Sequence, residues 1–130
     1  MSNLKLKRAR ERYRKRLRQG ARGFPAATIA FYGPDDKTAT KVVLSLTKEE
    51  GGEITELERW TSAREDLRYD AGSIDRIVTI LDHWKPKSIL SVDRIIGCPH
   101  EEGIDYPEGD ACPECPFWAY VDRWTGEPKH

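Results

Sequence analysis

Along residues 41–47, Val42, Leu44 and Leu46 recur at every second position and so fall on one face. That period of two predicts a strand with one side buried. Residues 27–32 read as a second strand, and Gly33-Pro34-Asp35-Asp36 supplies the turn chemistry between the two. Gly51-Gly52 marks another turn, leading into residues 54–60, whose charge content predicts an edge or half-exposed strand. The period then changes. Ile74, Ile77, Val78, Leu81 and Trp84 follow the 3.6-residue spacing of an amphipathic helix, with Asp70 and Ser73 as candidate caps. Pro86 should stop that helix near Lys85, because proline disfavours helical geometry in the residue before it and has no amide hydrogen to donate. Ser62 and Glu65 have capping-box spacing for a short helix over residues 62–69. The apolar run at residues 88–92 predicts a short buried strand. It would complete a strand-helix-strand crossover with a right-handed connection. Asp93 and Arg94 would then lie at the carboxyl end of this strand, where open α/β sheets tend to bind ligands.

These elements predict an α/β fold, with α+β as the alternative, built on about four strands and one main amphipathic helix. A chain of 130 residues has room for one core. We divide it into an arm, residues 1–23, and a single small domain, residues 24–130, that ends in a loop-rich segment. Leu6, Tyr13 and Leu17 can share one side of a helix in the arm, but so thin a stripe predicts a fraying helix or coil that orders on a partner. Gly20, Gly23 and Pro25 mark the hinge.

Charge changes this picture. The chain is formally neutral, yet residues 1–23 hold ten basic residues against Glu11 alone, a net +9 that leaves −9 on the rest. A basic segment of this kind points to an anionic partner. Lys7, Arg8, Arg10, Arg12, Arg14, Lys15, Arg16 and Arg18 are the candidate contacts for RNA, DNA or a ribonucleoprotein, since arginine-rich segments draw affinity from counterion release and can fold on RNA. The alternative is a solvated or autoinhibitory tail docked on the acidic loop, residues 101–114. A membrane-surface role is disfavoured by the lack of tryptophan and phenylalanine on the arm, and no apolar run reaches the roughly 18 residues needed to cross a bilayer. Three cysteines make a disulfide framework a poor account, so a reducing, cytoplasmic setting is expected.

Those three cysteines fall within eighteen positions: Cys98-Pro99-His100, eleven further residues, then Cys112-Pro113-Glu114-Cys115. Zinc takes four tetrahedral ligands from thiolates and imidazoles, and a Cys-x-x-Cys turn brings two sulfurs to one ion. Cys98, His100, Cys112 and Cys115 are therefore the candidate ligands. Asp105, Glu108 or His130 could complete the shell if only three of them ligate. The first pair, Cys-x-His, is tighter than the usual spacing. Four protein ligands would make a closed, structural site.

The same residues resemble two other centres. Cys-Pro-His followed by Cys-Pro-x-Cys is similar to a Rieske loop pair in which the last histidine has become Cys115, which would imply a 2Fe-2S cluster and redox chemistry. His100-Glu101-Glu102 with Cys112-Pro113-Glu114-Cys115 echoes a zinc deaminase, but the intervening segment is short and no proline precedes Cys112. Whether the protein is an enzyme is left open, leaning to no. Asp93, Arg94, Glu101 and Glu102 could serve as acid-base groups, yet no nucleophile or phosphate loop is evident.

Glu101, Glu102, Asp105, Glu108, Asp110 and Glu114 give residues 101–114 an entirely acidic character. This surface should repel phosphate and suit a basic protein partner, a cation or the protein's own arm. Phe117, Trp118 and Tyr120 should pack the loop on the sheet rather than stack bases. His83 falls on the polar side of the predicted helix, where it should be solvated.

Overall fold

The computed structural model describes residues 2–19 and 22–121. Two α-helices and a four-stranded mixed sheet form an α+β fold in the order α1 (Ser2–Gln19), β1 (Ala26–Tyr32), β2 (Lys41–Thr47), β3 (Ile54–Thr61), α2 (Ala71–Trp84) and β4 (Ser88–Ile95). The sheet order is β3-β2-β1-β4, with β1, β2 and β3 forming an antiparallel meander and β4 lying parallel to β1. Because β3 and β4 occupy opposite edges and run in the same direction, α2 carries the chain across two intervening strands. The sheet is thus open, with antiparallel pairing predominating.

The period-two pattern translates directly into burial. Ala27, Ile29 and Phe31 of β1 share the covered face with Val42, Leu44 and Leu46 of β2, and Ile74, Ile77, Val78 and Leu81 of α2 complete the core. Asp70 caps α2 as expected, its carboxylate accepting from the Ser73 amide at 2.8 Å. Ser73 itself is buried and accepts a 2.8 Å hydrogen bond from Trp60 Nε1, so it ties α2 to β3 rather than capping the helix. Lys85 ends α2 in the left-handed conformation, one residue before Pro86. At φ 51° a lysine accepts a geometry that favours glycine, and its amide still reaches Leu81 O at 2.9 Å.

Two boundaries differ from the sequence reading. The short helix expected over residues 62–69 is a single 3-10 turn, Leu67–Tyr69, capped by Asp66. Ser62 Oγ donates to the Glu65 carbonyl instead of capping a helix. Strand β4 continues to Ile95, which puts Asp93 and Arg94 within the strand rather than beyond its carboxyl end. The pairing with β1 resumes at Phe31 and Ile95 after an irregularity, and this carries the strand past the point where the apolar run stops.

The arm is the larger surprise. Helix α1 is docked on α2, with Ala9 fully buried, Tyr13 nearly so, and Leu6 and Leu17 packed at the margin. Tyr13 Oη meets Ser91 Oγ of β4 at 2.6 Å. Arg12 pairs with Asp75 at 2.5 Å, Arg16 pairs with Asp82 at 2.8 Å, and Arg10 donates to the Arg68 carbonyl at 2.5 Å. These successive partners make α1 and α2 run in the same direction. The thin apolar stripe suffices because charged contacts flank it, Arg12 and Arg16 reaching α2 on one side and Arg10 reaching the Arg68 carbonyl just before α2 on the other.

Candidate metal centre

Strand β4 leads into the site. Ile96 N bonds to Phe31 O at 3.0 Å and Gly33 N bonds to Gly97 O at 2.9 Å, so the β1–β4 pairing guides the chain to Cys98. From the other side, Trp118 is buried and its Nε1 donates to Gly33 O at 2.8 Å. A Cβ at Gly33 would lie 2.0 Å from Thr38 O, so only glycine fits where the turn after β1 closes on itself beneath Trp118. Phe117 meets Trp118 edge-on, with ring centroids 5.0 Å apart. The aromatic run thus packs the segment against the sheet end, while Tyr120 stays exposed.

Cys98, His100, Cys112 and Cys115 converge, and their candidate ligand atoms all lie within 4.8 Å of one another. His100 Nδ1 is 3.2 Å from Cys98 Sγ, 3.4 Å from Cys112 Sγ and 3.5 Å from Cys115 Sγ. This group is close enough to bind a metal. Bond lengths of about 2.3 Å to sulfur and 2.0–2.1 Å to nitrogen give a tetrahedron whose N···S edges are about 3.5 Å. The observed separations therefore suit four ligands around one central ion. The tight Cys-x-His spacing works because the ring turns back to present Nδ1, and the His100 amide also donates to Cys98 Sγ at 3.3 Å.

The far side of the imidazole is held as well. His100 Nε2 lies 3.0 Å from Glu114 Oε2. A proton on Nε2 donates to this carboxylate and leaves the Nδ1 lone pair facing the sulfurs. All three cysteines are reduced and buried. Burial pushes the Cys98 thiol up, against the His100 amide that pulls it down. Burial, reinforced by the neighbouring Cys98 and Cys112 sulfurs, pushes Cys115 up strongly. Raised thiols such as Cys98 and Cys115 become thiolates readily when a cation neutralises them, so the donor set fits a bound metal.

Other candidates fall elsewhere. Asp105 is outside the cluster and accepts from the Glu101 amide at 2.7 Å, Glu108 is exposed, and His130 lies outside the described residues. Glu101 pairs with Arg59 at 2.9 Å and with Lys41 at 3.5 Å, while Glu102 accepts from the Gly109 amide at 2.7 Å. Both carboxylates of the suggested acid-base set are thus engaged in shaping the loop. Lys41 Nζ also donates to Pro99 O at 3.0 Å, a link between β2 and the ligand loop that the strand pattern alone gave no reason to expect. His83 is exposed, as expected.

The arm's eight candidate cations divide into two groups. Arg10, Arg12 and Arg16 are used in docking. Lys7, Arg8, Arg14, Lys15 and Arg18 are exposed, and among the described residues none of these five makes an ion pair. No helix among the described residues is long and apolar enough to cross a membrane. Comparison of the chain with family models, curated proteins and solved structures finds no match, and the functional reading therefore rests on the geometry of the site and the charge of α1.

Proposed function

We propose that the protein is a non-catalytic nucleic-acid-binding module, held together at one end by a structural zinc ion and contacting phosphate through the outward face of α1. The observation that carries this reading is the division of the arm's cations. Docking consumes three arginines and leaves Lys7, Arg8, Arg14, Lys15 and Arg18 exposed on a preformed helix, so the ordering entropy of that helix is already met by folding. The acidic 101–114 loop serves a different purpose, shaping the metal end and presenting a surface suited to a basic protein partner.

Zinc is favoured over a 2Fe-2S cluster because three sulfurs surround one imidazole nitrogen at nearly equal distances. A two-iron cluster divides its protein ligands between two metals and would hold some of them farther apart. Four protein ligands fill a tetrahedral shell and leave no position for an activated water, which favours a structural role in a reducing, cytoplasmic setting.

Deleting the arm would be a poor test, since it would uncover the surface of α2 that Ala9 and Tyr13 cover. Replacing Lys7, Arg8, Arg14, Lys15 and Arg18 together by glutamine leaves that packing intact. Binding of a fluorescent 20-nucleotide probe should be lost, together with a slope in log K against log salt of roughly 4. Unchanged binding by the folded variant rejects the reading. Elemental analysis of the wild-type chain should return about one zinc and no acid-labile sulfide, and Cys98→Ser should lose the zinc. Iron with matching sulfide would replace the structural-zinc reading with a redox centre.

A further inference from the structure

Among the exposed cations of α1 outside the docking set, Lys5 lies apart on the side of Arg12, and the other five share the outward face. Successive helical residues rotate by about 100° and rise by about 1.5 Å. Lys7 and Arg14 consequently lie on one flank of the outward face, and Arg8 and Lys15 on the other, with Arg18 continuing between the flanks toward the C-terminal end. Each flank holds two cations separated by about 10 Å along the axis, and the two flanks diverge by about 100°. Between them lie Leu4 and Glu11, both exposed. The face thus has two basic rails whose centre is uncharged or acidic at Leu4 and Glu11 and becomes basic only at Arg18, near the C-terminal end.

A single strand offers one phosphate rail and binds best where aromatic rings give its bases a stacking surface. The outward face of α1 has no such ring. Its one aromatic residue, Tyr13, points inward to Ser91. A duplex groove offers two phosphate rails instead. A helix is about 10–12 Å across with its side chains, comparable to the roughly 12 Å width of the B-form major groove.

From this arrangement we propose that α1 binds double-stranded nucleic acid, its two cationic flanks contacting phosphates of opposite strands across one groove. The inference rests on the nucleic-acid reading above and names its ligand class. Recognition is of backbone and groove shape. The central residues Leu4 and Glu11 lack the paired donors that read guanine or adenine edges, and Arg18, the one central residue that has them, sits at the C-terminal end of the face, so unrelated sequences of equal length should compete nearly equally.

The test uses the full chain with its metal, titrated at fixed salt with a 20-base-pair DNA duplex, the corresponding RNA duplex and each constituent strand. At least one duplex should bind tenfold or more tightly than its own strands, and comparing the two duplexes identifies the helical form preferred. The variants Lys7→Gln/Arg14→Gln and Arg8→Gln/Lys15→Gln remove one flank each. Each should weaken duplex binding and reduce the salt slope by about 1.8. Circular dichroism verifies that both remain helical.

Equal or tighter binding of single strands overturns the duplex inference while leaving phosphate contact by α1 in place. Retention of full duplex affinity after loss of either flank overturns it too. Failure of every nucleic acid to bind overturns both the inference and the reading beneath it. Binding only to phosphatidylserine vesicles does the same, and assigns the face to an anionic membrane surface.

Discussion

The two ring nitrogens of His100 have separate tasks, and the division makes Glu114 consequential even though it is itself exposed. Nδ1 faces three sulfurs, while Nε2 meets the Glu114 carboxylate at 3.0 Å. Glu114→Gln should keep a hydrogen-bond acceptor of similar shape but remove the charge that holds the Nε2 proton and orients the ring. Zinc affinity, measured by competition with a chromogenic chelator, should fall by about tenfold, the lower end of the effect for groups that orient a metal-bound histidine. No change in affinity would show that the contact does not position the ring. The ligands themselves were legible in the sequence, since three cysteines and a histidine rarely gather within eighteen positions unless they share a metal. Glu114 was legible only as one acid among six. Its contact with His100 depends on a ring orientation that linear spacing does not encode.

At the scale of an element, the turn Leu67–Tyr69 sets the entry to α2. Asp66 caps it, receiving hydrogen bonds from Arg68 N at 3.1 Å, Arg68 Nε at 2.9 Å and Arg68 Nη2 at 2.7 Å. Burial alone would raise the Asp66 carboxyl, but the hydrogen bonds and charge of Arg68 outweigh it and hold the carboxyl below its ordinary value of 3.8. A group depressed in the folded state contributes stability above its unfolded pKa, and that stability is lost as pH falls through the folded value. Asp66→Asn should therefore cost about 1–3 kcal/mol near neutral pH, with the deficit shrinking below about pH 4 as the native carboxylate is protonated. Parallel denaturation curves for the two proteins at pH 7 and pH 3 measure this, and a deficit independent of pH would reject the assignment. Strands β1 and β2 and helix α2 were legible because their apolar positions repeat at the spacing that burial requires, whereas β3 was read from its turn and charge, and β4, expected to be buried, leaves Leu90 exposed. The docking of α1 was less legible. Ala9, fully buried, adds little to a hydrophobic pattern, and Asp75 and Asp82 read as solvated acids until α1 arrives to pair with them.

Across the whole molecule, the metal end and the helical layer have different supports. The core beneath the helices is made by Ile29, Phe31, Leu44, Ile74, Ile77 and Leu81, all nearly or fully inaccessible and none of them a ligand. The 98–121 segment instead depends on the Cys98, His100, Cys112 and Cys115 group together with Trp118. Removing the metal with a chelator should release Trp118, shifting tryptophan emission to the red, while the far-ultraviolet helical signal persists. Loss of both signals together would mean that the metal supports the entire fold. The docking of α1 also has a consequence in time. Helix α1 leaves the synthetic machinery well before Asp75, Asp82 and Ser91, which receive it and are added many residues later. At about 5–20 residues per second, the growing chain carries an undocked arginine-rich segment for several seconds before its resting place exists. During that interval Arg10, Arg12 and Arg16 are as available to polyanions as the cations of α1 that remain outside after folding. Chain completion thus narrows the basic surface to one face and fixes its shape.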